Sequence, residues 1–280
     1  MKFKNSMQFK AYIKKVSIDK AISPQLALQS FMLECLLIRI ANSKYRTNLI
    51  LKGGFLLSII AGLNTRTTMD VDTTLKGIKL TEDKVKEIFE DICSVDIDDD
   101  ISYEIEDISE IRKDDQYGGL RASLKANYDV LSVPLSVDIT TGDKITPRAI
   151  DFSFTTFFNN EKIKILAYNT ETLLAEKIET VISRSIANTR IRDFYDIYII
   201  IKTLNIDKET FIKALIETCN KRNSLETIKN YQTVLEQLKQ DKDIENQWKQ
   251  YQKRFNYAKD VSLVETFGLI ENILSSLSNK

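Results

Sequence analysis

Residues 48–75, NLILKGGFLLSIIAGLNTRTTMDVDTTL, contain the pattern that decides the fold. The apolar run over 48–51 predicts a short buried strand, and Gly53-Gly54 ends that strand and opens a helix over 55–61. Alternation over 69–75 predicts a second strand, which carries an Asp-Val-Asp triplet. This order of strand, glycine pair, short helix and strand predicts a compact unit that brings its polar residues together.

The two aspartates of the triplet, Asp70 and Asp72, are candidate ligands for a metal ion. Residues two apart on a strand point to the same face, so both carboxylates lie on one side while Val71 points into the core. Adjacent carboxylates repel each other unless a cation lies between them, and oxygen ligands suit Mg²⁺ or Mn²⁺. Such a triplet is also common in solvated loops, so alone it is weak evidence for a metal site.

Gly53 and Gly54 are candidates for binding a phosphate group. Glycines let backbone amides approach a phosphate, and a helix N-terminus adds about half a positive charge. A tight strand-to-helix turn without a ligand explains the same pair equally well. A third carboxylate, Asp138, lies in a strand whose alternate residues are apolar. It either bonds locally to a loop or serves as a third metal ligand.

The flanking sequence predicts an α+β half followed by an all-α half, with domain limits of 1–167 and 168–280. Before Tyr45 three segments are predicted as helix, and the clearest begins with Ser23 as the cap and Pro24 at the first position. The other predicted elements are a helix over 81–93, antiparallel strands within 101–140, a strand over 162–167, and helices over 170–187, 191–204, 208–220, 224–239, 241–256 and 262–277.

The composition excludes several kinds of chemistry. The 280 residues include no histidine, which rules out histidine-based triads, histidine-bound zinc and histidine general bases. An enzyme with this composition works with carboxylates, lysines, hydroxyls, backbone amides and a hard metal ion. The three cysteines are odd in number and widely separated, which fits buried thiols in a reducing cytoplasm. The apolar runs are too short to span a membrane, so a cytoplasmic protein is expected.

Charge is unevenly distributed along a chain whose formal net charge is zero. Residues 81–115 contain 15 acidic and four basic side chains, a local balance of −11, and the remainder therefore carries +11. A basic groove that receives a polyanion is compatible with this distribution. A solvated acidic surface on one helix and one strand is the simpler interpretation.

Four motifs resemble the AbiEii/AbiGii family of nucleotidyltransferase-like toxins, within the polymerase-β-like nucleotidyltransferase superfamily. They are Lys52-Gly-Gly-Phe-Leu-Leu, Arg66-Thr-Thr-Met-Asp-Val-Asp72, the strand aspartate Asp138, and Leu174-Ala-Glu-Lys-Ile-Glu-Thr-Val-Ile-Ser-Arg184 together with Arg190-Ile-Arg-Asp-Phe-Tyr-Asp196. The last motif makes the resemblance specific to the family. The similarity covers roughly residues 25–205, and no motif is recognised in the last seventy or so residues. The superfamily usually has Gly-Ser where this chain has Gly53-Gly54, a departure that the family commonly shares.

The resemblance implies a fold class and an activity. The fold is an α+β polymerase-β-like nucleotidyltransferase domain with a mixed or antiparallel sheet, followed by an all-α C-terminal domain that completes the active-site cleft. The implied activity is that of a toxin from a bacterial toxin–antitoxin or abortive phage-infection system. With Mg²⁺ or Mn²⁺, such a toxin transfers NMP from an NTP to RNA, with the tRNA 3′ end as the best-supported acceptor. A cognate antitoxin is also implied, often a DNA-binding repressor that acts without a stable complex.

The resemblance also implies roles for individual residues. Catalytic roles fall on Asp70, Asp72, Lys177 and Asp193, metal binding on Asp70, Asp72 and Asp138, and binding of the NTP phosphates on Lys52, Gly53, Gly54 and Arg66.

Without the resemblance, the singled-out residues of the helical half would be expected to have structural rather than catalytic roles. A lysine such as Lys177, at the border of a buried helix face, most often extends to water, and Asp193 most often caps a helix. Asp196 is either an alternative partner of Lys177 or, as expected here, a structural partner of Arg192. The aromatic residues Phe194, Tyr195 and Tyr198 are expected to pack in the core rather than to stack on bases.

Other functions compete with RNA transfer. An NTP-binding toxin that transfers nothing to RNA, or that modifies a protein target, needs the same phosphate and metal ligands. A D-x-D glycosyltransferase that uses a nucleotide sugar also needs a metal-bound diphosphate. It predicts a larger doubly wound sheet, which the antiparallel pattern over 101–140 argues against.

Overall fold

The computed structural model describes residues 2–62, 68–111, 118–158, 160–188 and 190–277. Arg66, predicted to bind the outer phosphates of an NTP, lies outside the described residues. The chain divides into two compact units. The first comprises Met1–Gly142 with Ile150–Ala167, and the second comprises Asp143–Ala149 with Tyr168–Lys280. The functional domain limits of 1–167 and 168–280 stay a prediction.

The first unit contains four helices and seven strands within the described residues. In chain order they are α1 Ser6–Asp19, α2 Pro24–Asn42, β1 Leu49–Lys52, α3 Gly53–Ala61, β2 Asp70–Leu75, α4 Glu82–Cys93, β3 Ser102–Ile111, β4 Gly119–Tyr128, β5 Leu131–Thr141, β6 Ile150–Thr155 and β7 Lys162–Ala167.

The strands form one mixed sheet with the order β3-β4-β5-β2-β1-β7-β6. The β2–β5 and β1–β7 pairs are parallel, and the other pairs are antiparallel. Helices α2, α3 and α4 pack against the sheet, where they cover alternate strand residues such as Val71, Leu124 and Val137. The opposite face carries Asp70 and Asp72 of β2 and Asp138 of β5, so these two strands have charged side chains on one face only.

Helix α2 is the buried centre of the first unit, and its start is determined locally. The Ser23 hydroxyl accepts a hydrogen bond from the Leu26 amide, and Pro24 occupies the first turn, where a missing N–H costs nothing. Two charged residues of α2 are also buried. Arg39 forms a two-point ion pair with Asp99 at 2.7 and 2.8 Å, so one carboxylate of the acidic 81–115 stretch has a structural role.

The second buried charge of α2, Glu34, makes the stability of the protein depend on pH. Its carboxylate accepts hydrogen bonds from the Phe157 and Phe158 amides, at 2.8 and 3.2 Å. Burial nevertheless raises the pKa of Glu34 to about 7, with a smaller contribution from the charge of Glu161.

We expect the contribution of Glu34 to stability to be fully present below about pH 4.5 and to be lost as the pH rises through about 7. The folded state holds this proton more tightly than the unfolded state, so the loss amounts to about 3 kcal/mol. Urea unfolding at a series of pH values across this range should show that the free energy of unfolding falls less steeply with pH in Glu34→Gln than in the wild type. An identical pH profile for the wild type and the variant would show that Glu34 keeps an ordinary pKa.

The second unit is helical throughout its described elements. These are α5 Thr170–Arg184, α6 Ile191–Thr203, α7 Lys208–Arg222, α8 Leu225–Lys229, α9 Tyr231–Gln240, α10 Lys242–Arg254 and α11 Leu263–Leu274, with single turns at Ser185–Ala187, Asn256–Ala258 and Ser275–Leu277. Helix α5 packs against α6 and α7, and α6 also packs against α10 and α11. Phe194 and Tyr195 of α6 are buried in this core, as expected.

The predicted elements are confirmed with three exceptions. Two helices rather than three precede Tyr45 in the described residues. Strand β6 was missed although Ile150, Phe152 and Phe154 alternate with polar residues. It is an edge strand that buries little, and of these three side chains Phe154 is the buried one. The helix predicted over 224–239 is broken at Asn230, which ends α8 and begins α9. The apolar pattern continues through this break, and neither proline nor glycine marks it.

Among the described residues, no single helix has the length and apolar character needed to span a membrane, although α1 and α2 meet that test together as a pair bent by 108°. All three cysteines are free. Cys35 and Cys219 are buried as expected, whereas Cys93 is half-buried. Burial raises the pKa of Cys93 to about 11 and that of Cys219 to about 12, so both thiols stay protonated at neutral pH.

Candidate active site

Strand β2 presents Asp70 and Asp72 on the polar face of the sheet, as the spacing predicts. Val71 between them is fully buried, whereas Asp70 is exposed and Asp72 is half-buried. Strand β2 lies in the middle of the sheet, between β1 and β5. The two carboxylates are therefore held by a rigid element rather than by a loop.

Four charged residues stand opposite one another across four neighbouring strands. Lys52 on β1 pairs in register with Asp72 on β2, which pairs with Asp138 on β5, which pairs with Arg121 on β4. Directly opposed positions on paired strands have Cβ atoms about 4.5–5.5 Å apart. The row places two adjacent carboxylates between a lysine and an arginine, which lowers the cost of holding the like charges together.

Arg121 is the residue of this row that the sequence prediction missed. Its Nε donates to Asp138 Oδ1 at 2.7 Å and its Nη2 donates to Asp138 Oδ2 at 2.9 Å. These hydrogen bonds, together with the charges of Asp138, Asp70 and Asp72, raise the pKa of the Arg121 guanidinium. Of the two interpretations offered for Asp138, the observed contact is closer to the local bond, although it joins two strands rather than a strand and a loop.

Gly53 allows the Asp72 carboxylate to lie against the start of α3. Its φ of +66° is one that side chains rarely adopt, and a Cβ at this position would lie 2.1 Å from Asp72 Oδ2. The glycine is thus required twice, once for the turn and once for the approach of the carboxylate. One member of the predicted glycine pair, Gly53, thus lies against one member of the predicted aspartate pair, Asp72.

Gly53→Ala is expected to destabilise the protein by about 1–2 kcal/mol through the left-handed backbone alone. It should also displace the Asp72 carboxylate and weaken Mg²⁺ binding measured by titration calorimetry. Gly268→Ala is the matched control because nothing lies within 4 Å of the added methyl group, and this helical position should gain up to about 1 kcal/mol. Equal unfolding free energies and equal Mg²⁺ affinities for the two variants would contradict the assigned role of Gly53.

The residues fit a magnesium ion held by two carboxylates. Within the described residues, no three histidine, cysteine, aspartate or glutamate side chains converge into a metal-binding group. This agrees with Asp138, whose two oxygens are directed to Arg121. Mg²⁺ usually takes one or two carboxylates and completes its coordination with waters and substrate phosphates. Asp70 and Asp72 suit that pattern, whereas each oxygen of Asp138 already accepts one hydrogen bond from Arg121.

The second unit contains a separate buried cluster of charged residues. Lys177 of α5 donates from Nζ to Asp193 Oδ1 at 2.9 Å and to Asp196 Oδ2 at 2.6 Å, both on α6. The lysine side chain is 10% exposed, and the side chains of Asp193 and Asp196 are 14% and 0% exposed. Lys177 therefore does not extend to water, which is what a lysine at the border of a buried helix face most often does.

Asp196 does not pair with Arg192, and this expectation was wrong. It binds Lys177, whereas the Arg192 guanidinium lies 5.6 Å from the centre of the Phe255 ring. The R-D-F-Y-D motif thus directs both of its aspartates to the motif lysine. The three-residue spacing on α6 brings both carboxylates to one side of the helix, which is the signal that identifies Asp196 in the sequence.

The mixed sheet with its Gly-Gly turn and paired strand aspartates, followed by a helical unit, is the architecture of a nucleotidyltransferase-like protein. The chain belongs to the AbiEii family, described as nucleotidyl transferase AbiEii toxins of type IV toxin–antitoxin systems, whose model matches residues 35–267. The predicted family and fold class are therefore confirmed. Among curated proteins, none matches the chain.

Solved structures of similar shape come from a bacterium and a fungus. A provisionally named nucleotidyltransferase from H. pylori is 13% identical with a TM-score of 0.49, over 91% of this chain and 95% of that one. JHP933 from Helicobacter pylori is 15% identical with a TM-score of 0.46, over 92% and 95%. An antigenic nucleotidyltransferase-like protein from Paracoccidioides brasiliensis is 18% identical with a TM-score of 0.39, over 67% and 87%.

Proposed function

We propose that this toxin transfers a nucleotide from an NTP to an RNA acceptor, with the 3′ end of tRNA as the preferred class. The observation that supports it best is the meeting of Gly53 with Asp72 at the start of α3, in line with Lys52 and Asp138. Backbone amides at a helix N-terminus suit phosphate groups, and the adjacent carboxylates suit a divalent metal ion.

In the proposed reaction, an RNA hydroxyl oxygen attacks the α-phosphorus of the NTP. A new P–O bond forms, the bond to the bridging oxygen breaks, pyrophosphate leaves, and the hydroxyl proton passes to water. Bound Mg²⁺ supplies positive charge for the triphosphate and for the attacking oxygen. Asp70 and Asp72 would hold the ions, with Asp138 as a third ligand, while Lys52, Gly53, Gly54 and Arg66 would bind the phosphates.

Lys177 and Asp193 are proposed as the catalytic pair of the second unit. Their contact at 2.9 Å, inside a nearly buried cluster, holds the lysine ammonium in one place. A fixed cation of this kind is suited to stabilising negative charge on phosphate oxygens. The cellular role that we propose is phage defence in the cytoplasm, with a cognate antitoxin that restrains the toxin.

Two alternatives are less well supported. A toxin that binds NTP without modifying RNA would retain the phosphate and metal ligands but would not need the buried Lys177 cluster. A D-x-D glycosyltransferase would need a doubly wound parallel sheet. Here, strands β3, β4 and β5 are joined by antiparallel pairing, and among the described strands only two pairs are parallel.

The proposal is tested by incubating the purified toxin with total RNA, Mg²⁺ and each radiolabelled NTP in turn. Label entering a small-RNA band would support transfer and would identify the nucleotide. The same reactions with EDTA in place of Mg²⁺ should give no label. Tight NTP binding without label in RNA would contradict the proposal and favour the binding toxin, and label entering protein would favour a protein target.

A further inference from the structure

Two arginines of the second unit share one aromatic ring. The guanidinium carbons of Arg192 on α6 and Arg254 at the end of α10 lie 5.6 and 5.3 Å from the centre of the Phe255 ring. Tyr257 stacks on the same ring, with centres 5.3 Å apart and planes at 23°. We call Arg192, Arg254, Phe255 and Tyr257 the arginine–aromatic surface. Arg254 is exposed and the other three residues are half-buried, so the surface is open to solvent.

This surface carries positive charge that carboxylates do not balance. Residues 248–259 contain Lys249, Lys253, Arg254 and Lys259 and no acidic residue. Lys249 pairs with Glu245. Within the described parts of the chain, neither Arg192 nor Arg254 has a carboxylate at ion-pair distance.

The position of Arg192 at the start of α6 is better explained by binding of an external anion than by a role in stabilising the helix. Arg254 lies in the last turn of α10, where a cation is stabilised by the helix dipole. Arg192 lies in the first turn of α6, where the dipole disfavours a cation. Asp193 of the same turn already binds Lys177. A phosphate group at this end of α6 would be stabilised by the helix N-terminus and by Arg192 together.

We propose that the arginine–aromatic surface binds the phosphate backbone of a single-stranded RNA acceptor. Guanidinium groups recognise phosphates through two parallel hydrogen bonds, and packing against a ring reduces the freedom that they lose on binding. Aromatic and arginine planes beside a basic stretch are the usual features of single-strand binding. This inference rests on the proposed RNA transfer and assigns a role to the α10 region, which carries none of the recognised motifs.

The phosphate that this surface binds has two possible sources, RNA and NTP. Lys253, Arg254 and Lys259, three basic residues along 248–259 besides the paired Lys249, match an extended chain of phosphates better than one triphosphate. The NTP phosphates, moreover, already have a proposed site at Gly53 and Gly54 in the first unit. The test therefore measures both ligands with the same set of variants.

Binding of a short fluorescein-labelled single-stranded oligoribonucleotide is followed by anisotropy at several salt concentrations. Arg192→Gln and Arg254→Gln should each weaken RNA binding about fivefold near 0.1 M salt. A plot of the logarithm of the binding constant against the logarithm of the salt concentration should be less steep for the double variant, by about 1.4 in slope, because two phosphate contacts are lost. Phe255→Leu retains every charge and should weaken binding about two- to fivefold. Arg148→Gln removes an equally exposed arginine of the same unit and should bind RNA as the wild type does.

NTP affinity is measured in parallel by equilibrium dialysis and should be unchanged in all five variants. Unchanged RNA binding in the double variant, or a loss of NTP affinity instead, would overturn the inference. If the wild type transfers nucleotide while the variants bind RNA normally, the inference fails and the proposed function stands. If the variants lose RNA binding but no protein transfers label, the surface is supported and the proposed transfer fails. Thermal unfolding confirms that each variant is folded.

Discussion

Asp72→Asn is expected to abolish nucleotide transfer and the growth inhibition that it causes, while the protein stays folded. The side chain keeps its size and its place beside Gly53 but loses the charge that holds a divalent ion. Metal-ion stabilisation of a developing negative charge amounts to several kcal/mol, which corresponds to a loss of about a thousandfold or more in rate.

The fold should tolerate this change because Asp72 is half-buried and lies beside a second carboxylate in the sheet. Replacing Asp72 removes its repulsion with Asp138 and its attraction to Lys52, two changes of opposite sign, and asparagine keeps the packing. Thermal unfolding should therefore show a midpoint close to that of the wild type.

Asp151→Asn is the matched control for Asp72→Asn. Asp151 is also a strand aspartate of the first unit, but it lies on the edge strand β6 and pairs with exposed Lys164. This variant should retain full transfer and full toxicity, since an exposed pair contributes little. Retention of toxicity by Asp72→Asn would place the toxic effect outside the proposed metal site.

Local sequence signals were sufficient where neighbouring residues determine the structure. Ser23-Pro24 predicts the start of α2, and the alternation around Val71 predicts which side of β2 carries the aspartates. The turn at Gly53 is determined in the same way by its positive φ, whereas the contact of Gly53 with Asp72 depends on the pairing of β1 with β2. Such features depend on residues within one or two turns of the chain, so a single sequence contains them.

The residues that were missed depend on pairing between distant segments. Arg121 becomes part of the site because β4 pairs with β5 in one register, and a shift by one residue would move it to the other face. Asp196 meets Lys177 because α5 packs on α6. Propensity and periodicity give the face of each element but not the register between two elements. Local inference therefore missed Arg121, and it named Asp196 as a possible partner of Lys177 without preferring it over the pairing with Arg192.

Lys177→Met is expected to impair both stability and transfer, and a second substitution separates the two effects. Removing the ammonium leaves the carboxylates of Asp193 and Asp196 buried without their shared cation. Breaking a buried ion pair from one side costs about 3–5 kcal/mol, which urea unfolding measures directly. Lys177, Asp193 and Asp196 together carry a net charge of −1, and the variant makes the sum over these three positions −2.

The double variant Lys177→Met with Asp196→Asn returns the cluster to a charge of −1 while the lysine stays absent. Asparagine keeps the shape of the fully buried Asp196 side chain, so most of the lost unfolding free energy should be regained. Transfer should stay as low as in Lys177→Met, because the ammonium that stabilises phosphate charge is still missing. Recovery of transfer together with stability would assign Lys177 a structural role, and its pairing with two aspartates would then be sufficient to explain the motif.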